Sequence, residues 1–241
     1  FRLGAIMVPL NWRLAVPELK AILADCTPAA LIHDLEFADR ATALAEGMKS
    51  LHLCAFGSPE SAYEQAIASS HRLATHEDVS MTDLATILYT SGTTGRPKGC
   101  VLSNEYFLYA GFWYTTIGGL CTVRTGVERM LTPLPLTHMN AMAVSTSCML
   151  LSGGCLILLD RFHPKTWWDS VRASRATIVH YLGVMPAMLM GAPADPRDRE
   201  HSVRYGFGAG VNPRHHAAFE ERFGFPLLEA WAMTETGSGA V

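Results

Sequence analysis

Leu84-Ala85-Thr86-Ile87-Leu88-Tyr89-Thr90-Ser91-Gly92-Thr93-Thr94-Gly95-Arg96-Pro97-Lys98-Gly99 is the stretch on which the reading of this chain turns. Leu84 to Tyr89 is an apolar, β-branched-rich run that predicts a strand, and a second apolar run, Cys100 to Leu102, follows the segment. Between them, four hydroxyl side chains, three glycines and one lysine are concentrated. Glycine lets backbone N–H groups approach an anion closely, the hydroxyls donate further hydrogen bonds, and the lysine adds a mobile positive charge. That combination suits a polyphosphate. It is not a Walker loop: counted from Gly92, that motif needs a second glycine where Pro97 stands and a Ser or Thr where Gly99 stands. Composition alone would equally describe a Ser/Thr/Gly hairpin turn.

Outward from this stretch, short apolar runs alternate with amphipathic ones, the pattern of an α/β domain. Strands are expected at Ala5 to Val8, Ala29 to His33, Leu51 to Phe56, Leu84 to Tyr89, Arg129 to Thr132, Cys155 to Leu159, Thr177 to Tyr181, Val203 to Gly208 and Pro226 to Ala230, with helices between them. Pro17 and Pro213 mark helix starts. Asn212 caps the helix that Pro213 opens and Gly224 ends it, with Ala217, Phe219 and Phe223 expected on the sheet face and Arg214, Glu220 and Glu221 in solvent. Ser58 to Glu60 reads as a turn and Pro193 to Arg199 as a surface loop. No linker or repeat stands out, so the chain is treated as one domain, or as parts of two closely packed subdomains.

The 241 residues carry 19 basic and 22 acidic side chains without a basic cluster, which gives no footprint for a nucleic acid. Six cysteines are scattered without C-x-x-C pairs and read as free, apolar-behaving thiols of a reducing cytoplasm. The ten histidines have no zinc-helix spacing. Met139 to Leu151 is the most apolar long stretch, but it contains Asn140, Ser145, Thr146 and Ser147, is too short to span a bilayer and is expected as a buried helix. No secretory signal opens the chain. Phe1 at the start and Gly239-Ala240-Val241 just after a motif lead us to expect that both ends are cut.

Read as an ordered string, Thr90 to Gly99 resembles the signature of the adenylate-forming superfamily: acyl-CoA synthetases, peptide-synthetase adenylation domains and luciferases. The resemblance implies a clamp on the β- and γ-phosphates of ATP, with Thr90, Ser91, Gly92, Thr93, Thr94 and Gly95 binding the nucleotide and Lys98 as the phosphate-contacting charge. Three later segments match in the same order. Leu134-Pro135-Leu136-Thr137-His138 implies a positioning role for His138 beside the acyl pocket, a buried hydrogen-bonded histidine being the alternative. Tyr205-Gly206-Phe207-Gly208-Ala209-Gly210 implies that Gly208, Ala209 and Gly210 wall the adenine and acyl group, against tight strand-to-helix packing. Glu229-Ala230-Trp231-Ala232-Met233-Thr234-Glu235-Thr236-Gly237 implies nucleotide contacts from Glu229, Ala230, Trp231 and Thr234, with Glu235 as a hard oxygen ligand for Mg²⁺. The family's usual Tyr-Gly is Trp231-Ala232 here, so Trp231 is expected to stack on adenine. Taken alone, Trp231 and Met233 could be core residues and Glu235 a solvated carboxylate.

The resemblance covers the whole chain and is most specific from Leu84 onward. It implies the central part of a large N-terminal domain, mixed mostly parallel sheets flanked by helices, with the mobile C-terminal subdomain, its catalytic lysine and the ribose-binding aspartate lying beyond Val241. The isolated chain is therefore expected to turn over little. The activity implied is ATP-dependent activation of a carboxylic acid to an acyl-adenylate, then transfer to CoA. Loading of a carrier-protein thiol and a non-catalytic nucleotide-binding module are the alternatives. Tyr181-Leu182-Gly183-Val184-Met185-Pro186 and the Trp-Ala variant look most like the crotonobetaine/carnitine-CoA ligase branch, hence fatty-acid or carnitine-type metabolism. Residues His138 to Ala143 and Gly183 to Pro186 are expected near the acid. Which acid it is, and whether the enzyme is a homodimer, are left open.

Overall fold

The computed structural model describes residues 3–69, 78–90 and 97–237. The chain divides into two compact units, residues 1–101 and 102–241.

In the first unit, α1 (Val16–Cys26) begins where Glu18 turns back to accept the Ala15 N–H at 2.7 Å, with Pro17 as its second residue. It ends at Thr27, which takes a left-handed conformation. β1 (Ala30–Asp34), α2 (Ala38–Ala45) and β2 (His52–Phe56) form a parallel crossover, registered from Ala30 opposite His52 to Asp34 opposite Phe56. Leu19, Leu23 and Leu44 pack as its small core. After α3 (Ala62–Ser69) come β3 (Leu84–Thr90) and β4 (Lys98–Ser103), which pair with each other. β4 is longer than the apolar run Cys100 to Leu102 because backbone pairing with β3 recruits Lys98 and Gly99, which no hydropathy pattern marks. The strand expected at Ala5 to Val8 is a single bridge from Met7 to Thr86. Gly4 at φ +66° turns the chain on one side, and Pro9, without an N–H, ends the pairing on the other.

The second unit is built on a parallel sheet of β5 (Arg129–Thr132), β6 (Cys155–Leu158), β7 (Ile178–Leu182), β8 (Tyr205–Ala209) and β9 (Leu227–Glu229), in the order β6-β5-β7-β8-β9. Chain direction across the sheet reverses between β5 and β7. That is the topological switch of doubly wound sheets, whose ligand crevice lies at the carboxyl ends of the strands. The helices are α4 (Asn104–Thr116), α5 (Thr146–Ser152), α6 (Trp167–Ser174), α7 (Val184–Met190) and α8 (Pro213–Phe223). The core gathers Trp167, Val171, Val179, Phe219, Phe223 and Leu227 from strands and helices.

α8 forms as its ends dictate: Asn212 Oδ1 accepts the Arg214 N–H at 3.0 Å, and Gly224, at φ +80°, closes on the Glu220 carbonyl. Phe219 and Phe223 are buried as expected, whereas Ala217 is exposed, so the buried stripe is narrower than the apolar residues alone imply. The loop Pro193 to Arg199 is at the surface except for Asp198, which accepts from Arg222 Nε at 2.6 Å and so ties the loop to α8. Met139 to Leu151 is helical and largely buried, but Asn140–Ser145 is a π turn and only Thr146–Ser152 is α-helical, with Leu150 and Leu151 exposed. Every cysteine is a free thiol, Cys121 and Cys148 buried and the others half-buried. Among the described residues no helix is long and apolar enough to cross a membrane.

Candidate active site

The stem of the Thr90 to Gly99 segment lies in the first unit. Thr90 ends β3 half-buried, and Lys98 starts β4 with its side chain exposed. Ser91, Gly92, Thr93, Thr94 and Gly95 lie outside the described residues. Two stem residues have packing reasons of their own. Tyr89 donates its hydroxyl to Asp25 Oδ2 at 2.5 Å, and burial, with Asp25 beside it, raises the phenol above its ordinary range. Its ring lies over Gly99, where an added Cβ would come within 3.1 Å of Tyr89 Cζ and 2.7 Å of Ile87 Cγ2. Glycine at that position is thus demanded by the strand pair itself.

In the second unit the remaining candidates follow the carboxyl ends of the parallel strands. His138 lies six residues past β5, exposed, its N–H on the Pro135 carbonyl and its own carbonyl accepting from Met142 N, both at 3.1 Å. Gly208, Ala209 and Gly210 end β8, and Glu229 and Ala230 end β9. The register sets Gly208 between Tyr181 and Glu229. The three small residues serve different neighbours. Gly208 is buried, and a Cβ there would stand 2.2 Å from the Tyr181 carbonyl oxygen, so packing within the sheet excludes a side chain. Ala209 and Gly210 are exposed, and Gly210 needs its φ of +77°. The closest approach falls on Gly183, whose added Cβ would lie 1.6 Å from the Gly210 carbonyl oxygen. The turns after β7 and β8 therefore meet backbone to backbone.

Glu229 locks the same turn from β9, accepting the Val211 N–H on Oε1 at 2.7 Å, while Ala230 N donates to the Gly208 carbonyl at 2.8 Å. Beyond it Trp231 is 59% exposed and Met233 43%, which removes the core reading of both side chains. Met233 and Gly237 then bridge, with Gly237 N on the Met233 carbonyl at 2.8 Å and Gly237 at φ +81°. This closed turn carries Thr234 half-buried and Glu235 exposed. An exposed indole followed by a hydroxyl and an exposed carboxylate offers a flat apolar face, a hydrogen-bond donor for a phosphate oxygen and one hard oxygen ligand. Among the described residues no group of three or more metal-ligating side chains forms. A lone carboxylate suits Mg²⁺, which is held by one or two carboxylates together with substrate phosphates rather than in an all-protein cage.

One polar cluster has no counterpart in the sequence reading. His180, on β7, is fully buried, with Nε2 3.0 Å from Tyr114 Oη and Nδ1 2.9 Å from both Ser145 Oγ and Asn140 Oδ1. Burial pushes its imidazole down to about 3, so it is neutral at working pH. The signal available was a single polar residue in the run Ile178-Val179-His180-Tyr181.

Known proteins can be set beside this geometry. The chain is 30% identical to crotonobetaine/carnitine–CoA ligase of Citrobacter koseri over all of its own length and 48% of that protein. It thus spans about half the length of the curated relatives it matches. This is the branch that Tyr181 to Pro186 resembles. The ATP-bound crystal structure of MatB from Rhodopseudomonas palustris superposes with a TM-score of 0.84 at 26% identity, covering 98% of this chain and 46% of that one. A benzoate CoA ligase from Burkholderia xenovorans LB400 shares the fold at a TM-score of 0.86 and 16% identity, covering 99% of this chain and 51% of that one. The mostly parallel α/β architecture is thus that of known CoA ligases. A family described as AMP-binding enzyme matches residues 1–241, end to end, and the chain belongs to it.

Proposed function

We propose that this chain is the nucleotide- and acid-binding part of an AMP-forming acyl-CoA ligase. The observation that supports this most directly is the exposed Trp231 followed by the closed turn of Thr234 and Glu235, at the carboxyl edge of a doubly wound sheet, in a chain of the AMP-binding enzyme family. In the proposed reaction a carboxylate oxygen attacks the α-phosphorus of ATP, the α–β phosphoanhydride bond breaks, and pyrophosphate leaves. CoA thiolate then attacks the acyl carbon and AMP departs. The relatives' naming as CoA ligases supports CoA as the acceptor.

The residues act by charge and placement. Thr90, the hydroxyl- and glycine-rich segment after it, and Lys98 hold the β- and γ-phosphates. Trp231 stacks on adenine, backed by the Gly208–Gly210 turn that Glu229 pins. Thr234 donates to the α-phosphate, and His138 orients the carboxylate. Glu235 would hold Mg²⁺, which when bound supplies charge neutralisation on the phosphate oxygens. Donors fixed before reaction stabilise developing charge without reorganising, and loss of one such donor costs roughly 3 kcal/mol of barrier, about 10²-fold in rate. The test is acid-dependent ATP–pyrophosphate exchange by the full-length enzyme across crotonobetaine, carnitine, butyrate and benzoate. Lys98→Ala and Glu235→Ala are expected to lower it on the order of 10²-fold. Exchange at the wild-type rate in both folded variants would refute the assignment, and CoA-dependent thioester formation checks the acceptor.

A further inference from the structure

The π turn Asn140–Ser145 begins two residues after His138 and is held from outside its own helix. Asn140 Oδ1 and Ser145 Oγ, at its two ends, converge on Nδ1 of His180 at 2.9 Å each, and Tyr114 of α4 meets Nε2 at 3.0 Å. Ser145 Oγ also donates to the Asn140 carbonyl at 3.0 Å and Thr146 Oγ1 to the Ala141 carbonyl at 2.8 Å, both spanning five residues, so side-chain hydroxyls accompany the wide turn. A π turn is rare and occurs mostly as a single turn inside an α-helix, frequently at functional sites, so what surrounds it matters. Here those surroundings include the imidazole of a strand in the same sheet, stacked against Tyr114 and tilted against Phe207, alongside α4 and β5, which also pack on the turn. The segment so held leaves β5 at the switch point and starts with His138, whose carbonyl closes the first turn of the same helix on Met142 N.

We propose that His180 is a positioning residue which, through Asn140 and Ser145, fixes the π turn and thereby the orientation of His138 toward the carboxylate of the acid. The proposal rests on the reading of His138 given above. His180 does not touch substrate. Relaxation of the π turn to an α turn would rotate every residue on its N-terminal side by up to about 100° about the helix axis, since the extra residue that the wider turn accommodates would be wound back into the 3.6-residue repeat. His138 would then lose its aim while the nucleotide contacts on β8 and β9 stayed in place.

The distinguishing readout is the KM for acid set against that for ATP. In the full-length enzyme, exchange is measured with whichever of crotonobetaine, carnitine, butyrate and benzoate the wild type uses best. His180→Gln and Ser145→Ala are expected to raise the KM for that acid about tenfold or more while the KM for ATP stays within about twofold. His180→Asn, whose amide stands near the position of Nδ1, is expected to keep the acid KM within about threefold of wild type. A histidine that merely fills the core predicts otherwise: both constants move together, or neither does, and Asn rescues no better than Gln. Either result overturns the proposal. Should His180→Gln not fold, Ser145→Ala removes a single oxygen and decides the matter. If His138→Ala leaves the KM for acid at the wild-type value, the reading of His138 falls and the proposal with it, an outcome distinct from failure of the His180 and Ser145 variants alone.

Discussion

Replacing Gly183 by alanine is the smallest change that strikes the meeting of the β7 and β8 turns. The new Cβ would lie 1.6 Å from the Gly210 carbonyl oxygen and 2.2 Å from its carbon, both backbone atoms. No rotamer relieves such a contact, and ordinary van der Waals distance requires the two turns to part by about 1.8 Å in an interior packed as densely as a crystal. Overpacking of this kind costs about 1–3 kcal/mol, and a backbone-on-backbone clash belongs at the upper end, about 3 kcal/mol. With a urea slope of about 2–3 kcal/mol per molar, the midpoint should fall by about 1–1.5 M. Activity should suffer as well, because the displaced turn carries Gly210 and the Val211 N–H that Glu229 holds. Misplacement of that size can lower rates on the order of 10²-fold. Gly191→Ala is the control: at φ −70° with its nearest neighbour 3.4 Å away, it should be neutral or stabilise by up to about 1 kcal/mol. Urea unfolding and ATP–pyrophosphate exchange on both variants give the comparison. Equal midpoints and equal rates would refute the packing argument.

Two further outcomes are expected. His180 is neutral and buried, so the native protein binds fewer protons there than the unfolded chain between its folded value of about 3 and the ordinary 6.5. Its contribution to stability is complete above pH 6.5 and shrinks by about 1.4 kcal/mol for each unit below, an acid sensitivity that His180→Asn should remove in urea titrations at pH 7 and 5.5. Glu128, whose side chain is 0% exposed, accepts from Arg124 Nε at 2.7 Å and Arg204 Nη1 at 2.6 Å, with Thr177 as a further donor. Burial opposes its charge, but these donors outweigh it and hold the carboxyl below the usual range. Glu128→Gln leaves two guanidinium groups uncompensated and should cost about 2 kcal/mol by thermal or urea unfolding, less than a fully buried pair because both arginines reach solvent. An unchanged midpoint would show that solvent already neutralises them.

What the sequence disclosed follows from how local each feature is. The helix from Pro213 to Phe223 was legible because its cap, its proline and its terminal glycine lie within the element. The strand Arg129–Thr132 was legible to the residue, since in a parallel sheet covered on both faces an apolar run is enough. Ala5 to Val8 has the same apolar look without the pairing, and β4 has the pairing without the look. The π turn was illegible for a stronger reason: what holds it comes from His180, 35 residues beyond Ser145. Likewise Gly208 was readable as a small residue, but that Tyr181 requires it, and that among the described glycines the tightest contact belongs to Gly183, follows from how neighbouring strands register.

Under the proposed function, the two ends of the strands in the five-stranded sheet divide stability from function. At the amino ends of β5, β7 and β8, Glu128, Thr177 and Arg204 tie neighbouring strands by charge, far along each strand from its carboxyl end. At the carboxyl ends the strands are joined instead by glycine contacts, the Glu229–Val211 hydrogen bond and, behind them, the His180 cluster. Charge at the amino edge can be lost without altering where the turns stand, so Glu128→Gln should lower the unfolding midpoint and leave the KM values of the folded enzyme near wild type. A change at the carboxyl edge cannot separate the two effects when it moves backbone, as Gly183→Ala does. It can when it moves only a hydrogen-bonded side chain, as Ser145→Ala does. Measured side by side, the three variants should therefore lose stability alone, stability with activity, and acid affinity alone. Any other ordering would mean that the edges are mechanically coupled through the intervening strands.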